Sequence, residues 1–437
     1  MKVIVLAAGR SKRLKPVNDK VLIGFLGKTL IEHQLGQLKK VGLEEVIVVG
    51  ASHNIESLKE LAQNLSKKIV VTEQEDPDAG MAGAVISTEK YLKNDPVLII
   101  SANDIVDEIA YKDIISACRE KDLNGCMIGK KVSAYFPGGY LKMDKNGLLQ
   151  GIIEKPGEGN EPSDVINLVV HYHADGTKLI KELKETKSSR DDLYEATLDR
   201  MIKNGGRFKV VPYEGEWHPI KFPWHILAAA SYYFNKGKKF ISPKAHIAES
   251  AVIKGDVIIE EGVKVFENAV ISGPVYLGKN TVVANNALVR DSYLGEDCVV
   301  GFGTEIARSF MGNNVWTHTN YIGDSIIGNN CSFGSGSVTG NLRLDEKNIQ
   351  VNINGGKMDC GKSKLGVIMG DNVRCGINTS IMPGIKIGNN CFIGAGIIVA
   401  QDIDDNMFAY GKTELVIKPN TAKLDSNLRL QMKKALK

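Results

Sequence analysis

Apolar and polar residues follow two different rhythms along this chain, and the change falls near residue 240. Before it, short β-branched runs alternate with helical stretches. Val3-Ile4-Val5, Val46-Ile47-Val48-Val49, Ile69-Val70-Val71 and Val97-Leu98-Ile99-Ile100 read as buried strands, and Leu30–Lys40 and Ile55–Leu65 carry apolar residues at helical spacing. This alternation predicts a parallel sheet with helices on both faces and ligands at the carboxyl ends of its strands.

After Ile241 an aliphatic residue recurs every six positions. Ile247, Ile253, Ile259, Val265, Ile271, Leu277, Val283 and Val289 form one strict run; Met369, Cys375, Ile381, Ile387, Ile393 and Val399 form a second. Gly, Asp, Asn and Ser fill the turns. Period six matches no helical face and is the signature of a parallel β-helix built from hexapeptides, three to a triangular coil, each anchor pointing inward. Between the runs the phase slips, and residues 342–366 read as an inserted loop. Trp224–Ala230 reads as helix, Asn235–Lys239 as a hinge, and Thr421–Lys437 as a basic helical tail. The domains expected are 1–228, a linker 229–240, a β-helix 241–420 and the tail 421–437.

Composition narrows the classes. The 437 residues can bury two or three cores, and the net charge of +4 is spread along the chain, which argues against a nucleic-acid stripe. Seven scattered cysteines form no C-x-x-C pair, so reduced thiols in the cytoplasm are expected, and no apolar stretch is long enough for a membrane span.

The first chemistry sits in Leu6-Ala7-Ala8-Gly9-Arg10-Ser11-Lys12-Arg13-Leu14, directly after the first strand. Small residues let backbone N–H groups approach a phosphate, and Arg10, Lys12, Arg13 and then Lys20 bring positive charge. The loop lacks Gly-Lys-Ser/Thr and G-x-G-x-x-G, so it is neither a P-loop nor a dinucleotide fingerprint. A solvated basic turn is the plain alternative.

Further motifs follow in order: Lys20-Val21-Leu22-Ile23-Gly24, Gly27-Lys28-Thr29-Leu30, Gln74 with Gly80-Met81-Ala82, Asn103-Asp104, Gly139-Tyr140, Glu154-Lys155-Pro156 and Asn167. Together they resemble the nucleotide-sugar pyrophosphorylases over residues 1–228. The resemblance implies that Arg13 and Lys20 hold a nucleoside triphosphate and stabilise developing charge. Leu6, Ala7, Ala8, Gly9, Gln74, Gly80 and Met81 would contact the nucleotide; Gly139, Glu154, Lys155 and Asn167 the sugar phosphate; Asp104 a Mg²⁺ ion. One departure stands out. Relatives read W-x-D-I or W-x-D-V where this chain has Trp217-His218-Pro219-Ile220. Proline offers no side-chain ligand, which leaves His218 or water as a replacement, a weak metal site, or a register one residue off.

The second half resembles the acetyltransferases of the left-handed β-helix type. Thr317-His318-Thr319-Asn320-Tyr321-Ile322-Gly323-Asp324 is similar to their N-H-L-S-Y-I-G-D, and Gly340-Asn341-Leu342-Arg343-Leu344-Asp345 falls where relatives carry a functional Asn. Acetyl transfer to an amine needs a base, and His is suited to that near neutral pH. His318 is implied as that base. Tyr321 and Asn341 would bind sugar phosphate or steer the nucleophile, and Lys347 and Lys364 would pair with the phosphate. Gln350 stands where some relatives have a basic residue. Ser380 and Ala395 mark the coils that would receive acetyl-CoA.

The two halves together are similar to the family of bifunctional glucosamine-1-phosphate N-acetyltransferases and N-acetylglucosamine-1-phosphate uridylyltransferases, in its archaeal-type branch. That resemblance implies UTP and acetyl-CoA as co-substrates, small-molecule partners and a homotrimer. Two other functions remain open at this point: a single-activity glucose-1-phosphate uridylyl- or thymidylyltransferase trimerised by its β-helix, and a sugar-nucleotide-binding module with an impaired transferase site.

Overall fold

The first apolar run is buried because its strand, Lys2–Leu6, lies mid-sheet, parallel to Val46–Gly50 on one side and Val97–Ser101 on the other. The computed structural model describes residues 1–437 apart from 18, 189–191, 413–415, 424 and 436–437. The described sheet has nine strands. Ile69–Glu73 extends the parallel part beyond Val46–Gly50. The other part departs from the all-parallel expectation. Val165–His173 runs antiparallel to Val97–Ser101 and to Gly125–Lys131, and it also touches the antiparallel pair Gly139–Met143 and Leu149–Glu154. The strand Val165–His173 is therefore the seam between the parallel and antiparallel parts of the sheet.

Alternating side chains feed two cores, as a sheet covered on both faces requires. Val3, Val5, Val46 and Val48 pack with Leu35 of α1 (Leu30–Lys40), Leu58 of α2 (Ile55–Leu65) and Ile114 of α4 (Glu108–Ala117). Ile4, Ile47 and Ile99 pack with Val85 of α3 (Gly80–Ile86), Leu179 of α5 (Gly176–Glu185) and Leu198 of α6 (Leu193–Lys203). Thr29 and Glu32 close a capping box at the start of α1.

From Phe240 the chain winds as a left-handed parallel β-helix. Phe240 pairs with Ile258 and Ile258 with Tyr276, eighteen residues per coil, or three hexads. The later steps Tyr276 to Tyr293 and Phe310 to Ile326 are seventeen and sixteen residues, and this shortening is the phase slip in the sequence. Ile259, Leu277, Leu294, Met311, Ile327, Met369 and Ile387 stack in one inward column of the buried core. Each such side chain contributes about 1.5–3 kcal/mol on burial. The Asn-rich corners have a local cause. Asn314, Asn330, Asn372, Asn390 and Asn406 all hold left-handed φ angles, and each side chain bonds the next at 2.8–3.0 Å.

The segment 342–366 is more than a loop. Its strands Gln350–Ile353 and Gly356–Asp359 form a hairpin, and Ile349, Val351, Ile353 and Leu365 pack into the core between the halves. The same core contains Phe25, Trp224, Tyr233 and Phe234, and the outward column Ile258, Tyr276, Tyr293, Phe310, Ile326 and Ile368 of the β-helix. The first half thus covers one flat face of the second. α7 (His225–Lys236) crosses from one half to the other as one helix, its Phe234 ring 5.6 Å from that of Tyr293. The segment expected as a hinge lies partly inside it. A polar tie adds to this contact: Asn389 Nδ2 donates to the carbonyl of Pro16 at 3.0 Å. The tail forms α8 (Ser426–Ala435); Leu424, Leu436 and Lys437 lie outside the described residues. Among the described residues no helix is long and apolar enough to cross a membrane.

Candidate active sites

The opening loop borders a cavity of about 430 Å³ with Arg13, Lys20, Pro77, Asp78, Asn103 and Lys221 among its walls. The parallel topology puts it at the carboxyl ends of Lys2–Leu6 and Val97–Ser101, as the strand pattern predicts. Gly9 lies over the end of the Lys20 side chain, a Cβ there standing 3.9 Å from the ammonium, an ordinary contact. Arg10 closes one side by bonding both carboxylate oxygens of Asp78, at 3.0 and 3.2 Å. Lys20 is set by residues that carry no sequence signal of their own. Asp19 accepts from the Val21 N–H at 3.0 Å and from Asn54 Nδ2 at 2.6 Å, and the same Asn54 amide bonds the Ala7 carbonyl at 2.9 Å. Burial lowers the Lys20 pKa, with Asp104 pulling it back up.

Asp104 opens the short strand Asp104–Val106, which pairs antiparallel with Trp217–Pro219. Pro219 lies directly opposite Asp104 in that ladder. His218 points elsewhere: its ring packs on Tyr232 and its Nε2 lies 3.4 Å from Glu216. Trp217 Nε1 donates to Asp104 Oδ1 at 3.3 Å, and Gln34 Nε2 donates to the Asp104 carbonyl at 3.1 Å. Burial raises the Asp104 pKa; Lys221, the Trp217 bond and Lys20 oppose that. Among the described residues no group of three His, Cys, Asp or Glu side chains converges to hold a metal ion.

The sugar-side residues converge across strands. Gly139 pairs with Glu154, and a Cβ on Gly139 would meet Glu154 Oε2 at 2.9 Å and the Asn167 Cβ at 3.7 Å. Glycine there leaves room for a ligand between the two side chains. Lys155, with a left-handed φ of 46°, turns its ammonium to 3.3 Å from Glu154. Asn167 is held from behind by a chain that sequence reading missed. Its Oδ1 meets His171 Nε2 at 2.7 Å, His171 Nδ1 meets the Tyr194 hydroxyl at 2.9 Å, and that hydroxyl meets His173 Nε2 at 2.7 Å. Burial holds both histidines neutral, at about 3. A neutral ring has one donor and one acceptor nitrogen. His173 Nδ1 is buried without a partner, so it is the acceptor, because an orphaned N–H is the rarer cost. Protons then run His173 to Tyr194 to His171 to Asn167, which commits the Asn167 oxygen and not its NH₂ to this chain.

Gln74 is buried, and its Nε2 is committed to the carbonyls of Asp76 and Gly80 at 2.8 and 2.9 Å. The amide shapes the Gly80-Met81 turn and keeps only its oxygen for a base.

In the second half His318 is exposed on a β-helix corner, its backbone N–H held by Asn320 Oδ1 at 2.7 Å. Ala395 belongs to the same corner column: Gly336 N–H bonds the Thr319 carbonyl, Asn378 that of Ser335, and Gly396 that of Ile377. Tyr321, Val338 and Ser380 stack in the adjoining strand column. Asn341 donates to the Tyr321 hydroxyl at 3.1 Å and to Asp324, whose two oxygens receive Arg308 Nε and Nη2, both at 2.7 Å. Arg308 and Asp324 thus organise the pair that the sequence indicated. Only their position one coil apart makes that visible. Lys364 leaves the insertion bridged to Leu342, and Lys347 stands exposed on the turn after Asp345.

A nucleotidyl transferase family pattern matches residues 2–220, a GMPPB C-terminal domain pattern residues 235–322, and a hexapeptide repeat of succinyl-transferase residues 366–401. The "Bifunctional protein GlmU" of Methanocaldococcus jannaschii is 36% identical over 429 residues, covering 96% of this chain and 99% of that protein. The "Bifunctional sugar-1-phosphate nucleotidylyltransferase/acetyltransferase" of Sulfurisphaera tokodaii is 34% identical over 408 residues, covering 92% and 98%. A GlmU of Methanococcus maripaludis is 34% identical over 423 residues, covering 95% and 99%.

Fold and sites define a nucleotidyltransferase joined to a hexapeptide acyltransferase. The chain belongs to the bifunctional GlmU family and is a uridylyltransferase and an acetyltransferase.

Proposed function

We propose that the chain acetylates glucosamine-1-phosphate with acetyl-CoA, then joins the N-acetylglucosamine-1-phosphate to UTP, giving UDP-N-acetylglucosamine and pyrophosphate. The carrying observation is two furnished sites in one chain, the cationic cavity around Lys20 and the corner around His318.

In the uridylyl step a sugar-phosphate oxygen bonds the α-phosphorus and the bond to pyrophosphate breaks. No covalent enzyme intermediate is needed, so positioning and charge carry the catalysis. Arg13 and Lys20 bind the triphosphate over the Leu6–Gly9 backbone. Gln74, Gly80 and Met81 border the base. Lys155 meets the sugar phosphate, while Glu154 and Asn167 meet sugar hydroxyls. In the acetyl step the amine nitrogen bonds the thioester carbonyl carbon, His318 takes the amine proton, and coenzyme A leaves. Tyr321, Asn341, Lys347 and Lys364 serve the sugar phosphate; Ser380 and Ala395 border the acetyl-CoA groove.

Mg²⁺ enters this reading through Asp104 alone. The residues present do not fit a protein-held ion: one buried carboxylate, bonded to an indole, lies beside Lys221 and Lys20, with a proline across the ladder. We assign no step to the ion.

The division of labour runs 1–228 for uridylyl transfer, 229–240 as connection, 241–420 for acetyl transfer and 421–437 as tail. A homotrimer is supported by large apolar side chains left exposed on the β-helix, among them Phe302, Trp316, Ile377 and Ile398. Seven unpaired cysteines support a cytoplasmic site of action.

The test is one pot: glucosamine-1-phosphate, acetyl-CoA and UTP with the purified protein. UDP-N-acetylglucosamine and pyrophosphate are expected. No release of coenzyme A at any of several pH values would reject the acetyl half, and equal use of glucose-1-phosphate would reject the sugar assignment. Sedimentation at the monomer mass would reject the trimer.

A further inference from the structure

Lys221 follows the Trp217–Pro219 strand that carries Pro219 past Asp104, and no motif pointed to it. The backbone N–H of Ile220 bonds the Asn103 carbonyl at 3.0 Å, which fixes the next residue at the mouth of the cavity that Asn103, Arg13 and Lys20 line. The Lys221 ammonium sits 3.8 Å over the Phe136 ring and donates to the Pro137 carbonyl at 3.1 Å. Those residues lead into Gly139, which pairs with Glu154. Lys221 therefore stands between the cavity of Arg13 and Lys20 and the strand that Gly139 opens, the two regions read above as the triphosphate and sugar sites. It is close enough to Asp104, Arg13, Glu154 and Lys155 to feel the charge of all four.

The charge count at this junction is unusual for a metal centre. Arg13, Lys20 and Lys221 line the cavity together, and its one lining carboxylate, Asp78, is bonded to Arg10; Asp104 lies buried beside Lys20 and Lys221. Among the described residues none of the three forms an ion pair within 4.0 Å, although Lys20 and Lys221 both feel Asp104. Burial brings Lys221 down to about 8, with Asp104 opposing. A cation kept partly dry, free of ion pairs and lining the cavity of Arg13 and Lys20 is suited to phosphate, and one donated hydrogen bond leaves it two more N–H groups.

We propose that Lys221 binds phosphate at the junction, between the triphosphate and the sugar phosphate, so that the protein grips its nucleotide through ammonium groups rather than through a protein-held metal ion. This rests on the uridylyl-transfer reading above. The two reacting phosphates repel each other, and a fixed cation between them offsets that repulsion where negative charge develops. A purely structural Lys221, clamping the Phe136–Gly138 loop, would predict no change in triphosphate binding when the loop stays in place.

The experiment is calorimetry of UTP binding to the full chain, in EDTA and in Mg²⁺, for the wild type, Lys221→Met and Lys221→Arg. The wild type is expected to bind UTP in EDTA. Lys221→Met should bind about tenfold more weakly or worse in both buffers, and Lys221→Arg should keep most of the affinity. Acetyl transfer by each variant, measured at the other site, reports an intact fold; Lys221→Gln replaces Lys221→Met if that variant fails this check. Manganese binding to the nucleotide-free wild type, followed by electron paramagnetic resonance, should be absent. Loss of wild-type UTP binding in EDTA, or equal UTP affinity in Lys221→Met, would overturn the proposal while leaving uridylyl transfer intact. Failure of the wild type to bind UTP in either buffer would instead reject the underlying reading.

Discussion

Arg308 donates from Nε and Nη2 to the two carboxylate oxygens of Asp324, both at 2.7 Å, across one coil of the β-helix. Asp324 is mostly buried, and its second oxygen also receives Asn341. The pair fixes Asn341 against the Tyr321 hydroxyl. Asp324→Asn should cost on the order of 2–3 kcal/mol of stability, since a charged hydrogen-bonded pair is broken. It should also slow acetyl transfer about tenfold or more through lost positioning. Thermal unfolding and coenzyme A release check the two parts, and uridylyl transfer should stay near wild type.

His318→Ala removes the proposed base from an exposed corner and touches no buried contact. The acetylation rate should fall by about 10²–10⁴, with little change in melting temperature. An acetylation rate unchanged by the substitution would reject His318 as the base.

Tyr194→Phe breaks the chain that links His173, His171 and Asn167. KM for the sugar phosphate should rise several-fold while UTP affinity holds, because only the orientation of Asn167 is released. Steady-state kinetics with each substrate varied separates the two.

The same histidines make stability depend on acid. Burial lowers each from 6.5 to about 3 in the folded chain, so the folded state binds fewer protons than the unfolded one. Their contribution is fully present above about pH 6.5 and is lost progressively as the pH falls toward 3. Denaturant unfolding between pH 7 and 4 should show this loss. His173→Gln, which cannot charge, should flatten the slope.

Asn54→Ala unties Asp19 from the Ala7 carbonyl and so loosens both the loop and Lys20. UTP affinity should fall about tenfold, with acetylation unaffected. Calorimetry checks the first and a thiol assay the second.

The hexad anchors were legible in the sequence because a β-helix is a one-dimensional stack. Each coil repeats a local rule, an inward aliphatic and a left-handed Asn or Gly corner, so period alone places Ile259, Met369 and Ile387 in the core. The opening loop was legible for a similar reason: a strand, small residues and cations lie consecutively. The hairpin within 342–366 was not, because its apolar residues are stabilised by a core shared with α7 rather than by any local repeat. The antiparallel seam at Val165–His173 was also hidden, since strand direction depends on partners distant in sequence. It is that seam which brings Gly139, Glu154 and Asn167 together. The sequence alone determined which half alternates strands and helices, which half stacks as coils, and that residue 219 offers no side-chain ligand to a metal. Only the tertiary structure decided that Pro219 faces Asp104 and that Lys221 lines the cavity of Arg13 and Lys20, because both depend on one antiparallel pairing between residues more than a hundred positions apart.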